Sequence, residues 1–200
     1  MLLVSLATAL LGFTEVIFVP AYWNPPSLFD LAVRTGFDVE SFIFSFAIGG
    51  IVVALYNKIF HASEEKILLP EHHSRRHRFH LVAIISTAVV FVVLFLLTSL
   101  NPLHSAIIAM FVGGIATLYC RPDLKNKMLM SALMFLVIYF VSFLMLIVLF
   151  PGYVEQVWNL KAISGVLILG IPLEELLFAL SFGFIWSSIY EHITWRRLSQ

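Results

Sequence analysis

Charge is the first thing this sequence lacks. Only 12% of its 200 residues are Asp, Glu, Lys or Arg, while 60% are hydrophobic; a water-soluble domain carries roughly 25% charged residues. That shortage excludes an ordinary soluble fold. Cysteine is nearly absent: Cys120 stands alone, which excludes an internal disulfide and any CxxC metal or redox site. A formal net charge of zero leaves no basic excess for binding nucleic acid. No HExxH motif occurs, which argues against a metal site, and no cofactor is expected.

What the chain does have is long apolar runs. A hydrocarbon layer ~30 Å thick takes about 20 apolar residues to cross. Apolar windows lie near residues 1–19, 38–57, 80–99, 102–119, 128–150 and 170–190. The expected fold is therefore all-α, a polytopic membrane helical bundle of about six transmembrane helices, with lipid as its surroundings. The first run lacks a basic leader and a small-residue cleavage site and leads into Tyr22-Trp23, so it reads as a helix ending in an interfacial aromatic belt and not as a signal peptide. Asn101-Pro102 marks a tight turn into the fourth helix.

Charge position checks the helix count. With six spans, Lys58, Lys66, Arg75, Arg76, Arg78, Arg121, Lys125, Lys127, Arg196 and Arg197 fall on one side, leaving only Arg34 and Lys161 on the other. The positive-inside rule then places both termini in the cytoplasm of a multi-pass, cytoplasmic (inner) membrane protein. The polar segment His61 to His80 holds five of the seven histidines together with Glu64, Glu65 and Glu71. That loop could in principle bind a metal, but it reads better as a solvated connector near anionic lipid heads, because no paired ligand spacing occurs.

An internal repeat organises the chain. Gly36-Phe37-Asp38-Val39-Glu40-Ser41-Phe42-Ile43-Phe44 superimposes on Gly170-Ile171-Pro172-Leu173-Glu174-Glu175-Leu176-Leu177-Phe178, and the register continues through Gly49 with Gly183 and Tyr56 with Tyr190. Upstream, Trp23-Asn24 pairs with Trp158-Asn159. The expected organisation is a single membrane domain over 1–200, with repeat 1 at about 1–60, connecting helices at about 80–120 and repeat 2 at about 128–192. An offset of four helices makes the repeat parallel. Glu40 and Glu174 should then share a depth and face one another across the bundle.

Between Ala162 and Ile189 the only formal charges are Glu174 and Glu175. A carboxyl in an apolar stretch is costly and is functional by default. An apolar setting favours its neutral acid form, whereas a helix start after Pro172 would favour the ionised form; sequence leaves that balance open. The alternative for Glu40 and Glu174 is a helix cap or interfacial polar residue, and it weighs more for Glu40, which has Arg34 and Asp38 nearby.

The segment Gly165 to Glu191, GVLILGIPLEELLFALSFGFIWSSIYE, resembles the signature of the membrane lycopene cyclase domain of the heterodimeric and fungal/archaeal type, built on a Pro-x-Glu-Glu/Asp motif followed by phenylalanines. The resemblance implies redox-neutral, acid-catalysed cyclisation of linear carotene ends, a lycopene β-cyclase type of intramolecular lyase or isomerase reaction in carotenoid biosynthesis, on a hydrophobic polyene or isoprenoid substrate. It implies Glu174 as the acid, Glu175 as its partner and Glu40 as the equivalent from the first repeat. Phe44, Phe178, Trp23 and Trp158 would line the pocket with Pro172. The first copy departs from the motif, with Asp38 in place of proline and Ser41 in place of the second acid.

Three other classes bear comparison. The paired glutamates also resemble those of CAAX-type intramembrane proteases, but Ala179 stands where those place arginine, and His192 is the only later histidine. Prenyl transfer would need two Asp-rich motifs, which are absent. A small transporter or structural membrane protein stays open, since acidic residues near helix breaks also build ion pathways. Sequence leaves the oligomeric state open, a homo-oligomer included.

Overall fold

The computed structural model describes residues 1–67 and 75–199. Its helices are α1 (Leu2–Phe18, with a 3-10 turn over Leu10–Thr14), α2 (Leu31–Thr35), α3 (Val39–Ile59), α4 (His80–Leu97), α5 (Pro102–Cys120), α6 (Lys125–Leu149), α7 (Tyr153–Val157), α8 (Leu173–Trp186) and α9 (Ile189–Thr194). Five helical segments among the described residues are long and apolar enough to cross a membrane, and α1 is a shorter apolar helix. The bundle is all-α, as its composition dictates.

Local chemistry sets the helix starts. Asp38 caps α3 by accepting the Ser41 N–H, the usual stabilisation of an orphan amide at a helix N-terminus. Asn101 caps α5 by accepting the Leu103 N–H at 3.0 Å, with Pro102 in the first turn. The helix expected from residue 170 begins later, at Leu173. Residues Leu167–Ile168 (β2) and Ile171–Pro172 (β3) instead form a tight antiparallel hairpin. Its two turn residues, Leu169 and Gly170, both have positive φ (52° and 85°), the turn geometry that matches strand twist and favours glycine. Glu174 and Glu175 consequently fall in the first turn of α8.

α8 is the centre of the bundle, packed on α5, α6 and α3. Ile48 and Val52 of α3, Met110 of α5, Phe135 of α6, and Ala179, Phe182 and Ile185 of α8 form one buried cluster. At Gly183 a Cβ would stand 2.9 Å from the Ala132 Cα, so only glycine admits this approach of α8 to α6. α1 packs on α3, and α4 packs on α5 at the edge. Ala83 is the only buried residue of α4, as befits a helix facing hydrocarbon chains.

The connections alternate between two ends. At one end the strands Ser63–Lys66 (β1) and Arg196–Ser199 (β4) pair antiparallel. This end gathers Lys66, Arg121, Lys127 and Arg196, matching the charge partition. Two of these cations differ from the expected loop residues, however. Arg121 and Lys127 are fully buried. Lys127 pairs with the buried Glu191, and Arg121 forms a two-pronged bond to Asp123 (2.9 and 2.6 Å) and donates to the Glu191 carbonyl at 3.1 Å. The reason is that α6 starts at Lys125, not near 128, which draws Lys127 into the packed end of the helix. Of the histidine loop, Glu71, His72 and His73 lie outside the described residues.

Candidate active site

The other end joins the segments after α1, before α5 and after α6. Trp23 and Trp158 form an antiparallel bridge. Its two hydrogen bonds are reciprocal: Asn24 N–H to the Val157 carbonyl at 2.8 Å, and Asn159 N–H to the Tyr22 carbonyl at 2.9 Å. The two indole rings lie 5.6 Å apart. Asn101 ties this region to α5 by donating to the Ala21 and Ala162 carbonyls at 3.1 and 3.2 Å.

Beneath the bridge lies Glu175, 5% exposed. One of its oxygens accepts hydrogen bonds from the Tyr22 hydroxyl and from Trp158 Nε1, the latter at 2.8 Å. Its second oxygen accepts from the Tyr139 hydroxyl. Trp158 Nε1 also lies 2.7 Å from the Tyr22 oxygen. The donors come from α6, from the segment after α1 and from the segment after α7, so one carboxyl fastens three parts of the fold. No cation bonds to it among the described residues; all its donors are neutral.

Glu174 is 2% exposed and is held differently. Its Oε1 accepts the Ser164 N–H at 2.7 Å and lies 3.2 Å from His104 Nε2. Its Oε2 is buried with no hydrogen-bond partner among the described residues. His104, on the first turn of α5, is 32% exposed and stands on the open side of this carboxyl. The pair therefore divides into a carboxyl saturated by Tyr22, Tyr139 and Trp158 and a carboxyl with one uncommitted oxygen. A buried polar atom without a partner costs about 1–3 kcal/mol, which structural packing alone does not favour.

Of the residues singled out by sequence, Glu174, Glu175, Trp158 and Trp23 come together. Phe178 packs near Tyr139, with ring centroids 6.2 Å apart, and Pro172 is buried as the residue before α8. Glu40 and Phe44 do not join them. Glu40 is exposed and accepts the Leu28 N–H at 2.8 Å, and Phe44 is 42% exposed. Neither makes a hydrogen bond or ring contact with the Glu174–Glu175 group among the described residues. The surface cleft lined by Asn24, Pro25, Ser27, Asp30 and Tyr153 contains no member of that group.

Sequence reasoning missed Tyr22, Tyr139, His104 and Ser164, which are ordinary interfacial or helical residues until the fold brings them together. It also missed Glu15, buried on α1 with Oε1 unpartnered and neighboured by Asp38, Ser41 and Trp23. A signal for it existed: Glu15 is the one formal charge before Asp30, and the same argument about acids in apolar stretches applied to it.

The class is thus set by the fold: a polytopic all-α membrane protein with paired acids buried at the start of its central helix. Residues 101–193 match the family model described as lycopene cyclase. The matched stretch runs from the start of α5 into α9. Comparison with curated proteins and with solved structures found no match.

Proposed function

We propose that the protein is a carotenoid cyclase of the lycopene β-cyclase type, closing rings on the ends of a linear polyene by acid catalysis without net redox change. The observation that carries this reading is the uncommitted, buried Oε2 of Glu174. A general acid must place its proton on a substrate atom, and an oxygen with no protein partner is free to turn its proton toward one. In this mechanism the neutral Glu174 carboxyl gives its proton to the terminal double bond. The tertiary cation is attacked by the neighbouring double bond, forming the ring C–C bond. The ring cation then loses a proton to the Glu174 carboxylate or to His104. One proton enters and one leaves, so product and substrate are isomers.

Glu175 acts on this scheme as a positioning residue, fixing the first turn of α8 through Tyr22, Tyr139 and Trp158. Rings of Tyr139, Phe143, Trp158 and Phe178 lie in successive contact and present faces that stabilise a carbocation. The low-water setting protects that cation from capture by solvent.

We infer further that the site lies at the junction of two parallel repeats. Three features support this. The Trp23–Trp158 bridge has reciprocal bonds from Asn24 and Asn159. Glu40 and Glu174 each accept a backbone amide from the segment preceding their helix, that of Leu28 and of Ser164. Gly49 and Gly183 each sit where the two helices of their own copy meet, against Thr8 and Ala132. We also infer that the basic end faces the cytoplasm; reporter fusions after Lys125 and after Glu155 should give opposite signals.

The test of the activity is expression in a host that accumulates lycopene, with membrane pigments separated by chromatography. Ring-closed product from the wild type and linear lycopene from Glu174→Gln supports the reading. Unchanged lycopene with a well-folded wild type, or ring closure by both, overturns it.

A further inference from the structure

At the basic end, about 25 Å along α8 and α9 from the paired glutamates, a second group of chemistry-bearing side chains is left unused by the cyclase reading. Cys120 ends α5 and is buried. His80 begins α4, and His77 lies in the 3-10 turn before it. The Cys120 Sγ stands 3.5 Å from His77 Nδ1 and 3.5 Å from His80 Nδ1. The potential ligand atoms of all three residues lie within 4.8 Å of one another.

A thiol has a single proton, so it can donate to one imidazole at a time, and sulfur is a weak acceptor. Two equal contacts from one sulfur to two imidazole nitrogens have a different natural explanation. With Zn–S of about 2.3 Å and Zn–N of about 2.0–2.1 Å at the tetrahedral angle, sulfur and nitrogen ligands of one zinc ion stand about 3.5 Å apart.

A further buried imidazole packs beside this group. His192 on α9 is fully buried, and its Nε2 has no hydrogen-bond partner among the described residues. Its other nitrogen lies 3.4 Å from Thr117 Oγ1. The His192 ring meets the His80 ring edge-on, with centroids 4.5 Å apart, and the Trp195 indole stacks on His80 at 3.9 Å. The neighbouring cation, Arg121, is neutralised by its two bonds to Asp123.

We propose that His77, His80 and Cys120 form a binding site for a zinc-like transition-metal ion. The donor set, one thiolate with imidazoles, selects borderline-soft ions over calcium or magnesium. On binding, the Cys120 S–H bond breaks, the S–Zn bond forms and one proton goes to solvent. The ion joins the start of α4 to the end of α5. Its role is structural, and it stands apart from the acid chemistry. His72 and His73 take no part in the assignment.

The test uses the full chain in detergent micelles, stripped with a chelator and titrated with Co²⁺ and then Zn²⁺. The expected result is one equivalent of Co²⁺ with a thiolate-to-cobalt charge-transfer absorption, displaced by Zn²⁺, and one proton released per zinc. Because Cys120 is the single cysteine, that absorption has one origin. Cys120→Ser should abolish it. His77→Ala and His80→Ala should each weaken zinc binding at least ~10-fold, whereas His61→Ala should leave it unchanged. Should any variant fail to fold, the proton count and the cobalt spectrum of the wild type still decide. A spectrum without the sulfur band, or equal zinc affinity in wild type and Cys120→Ser, reduces the cluster to a hydrogen-bonded thiol and overturns the proposal.

Discussion

Two buried carboxyl sites lie at opposite ends of the α8–α9 segment, and they are held by different chemistry. Glu191 faces the Lys127 ammonium, with both side chains fully buried. Glu174 and Glu175 meet a backbone amide, phenol hydroxyls, an indole and an imidazole, without a lysine or arginine among the described residues. An acid paired with a fixed cation is committed to its charge and serves as a rivet. Glu191 and Glu174 each keep one oxygen without a hydrogen-bond partner among the described residues, but only an acid with no fixed cation beside it can readily take up and give away a proton. Burial alone therefore does not identify a reactive carboxyl; the charge of its partners does.

The comparison can be broken most severely at the rivet. Lys127→Met leaves Glu191 as an uncompensated buried charge and should cost about 3–5 kcal/mol of stability, while Lys127→Met with Glu191→Leu should recover most of it. Thermal melts of the purified variants in detergent read this out, and equal melts for single and double variants would remove the distinction. At the other end the loss should be of rate. Glu174→Gln keeps the acceptor for the Ser164 amide but cannot deliver the proton, so cyclisation should fall at least ~10²-fold with the melting temperature unchanged.

Two smaller effects sharpen the division within the site. Tyr139→Phe removes one donor from Glu175, a bond to a carboxyl worth about 1.5–3 kcal/mol. The rate should drop about tenfold or more if that positioning is expressed in the transition state. Glu40→Gln should change the rate less than about threefold, because Glu40 is exposed and bonded only to the Leu28 amide, a group Gln still satisfies. A large loss at Glu40 with none at Glu174 would reverse the roles of the two copies.

The bundle was legible because apolar length is a property of each segment by itself: α3, α5 and α8 lie close to the runs that announce them. What escaped depends on distance along the chain. Glu174 and Glu175 stood out as lone charges, but Tyr22 and Tyr139 reach Glu175 across 153 and 36 positions, and nothing in a tyrosine's neighbours announces such a partner. The hairpin before α8 was hidden for another reason. Val166 to Gly170 is as apolar as a membrane helix, and only the backbone freedom of Gly170 and the ring of Pro172 turn it aside. The burial of Lys127 was not legible because its neutralising partner Glu191 lies 64 residues away.

The β1–β4 ribbon has a consequence for biosynthesis. Ser63–Lys66 cannot acquire its strand partner until Arg196–Ser199 has left the ribosome, and Arg121 likewise waits for the carbonyls of Glu191 and Arg196. Every apolar helix will have entered the lipid before this end can close. The basic end is therefore sealed after α3 and α5, and a nascent chain arrested before Arg196 should show Lys66 and Arg121 open to protease or label long after those two helices are protected.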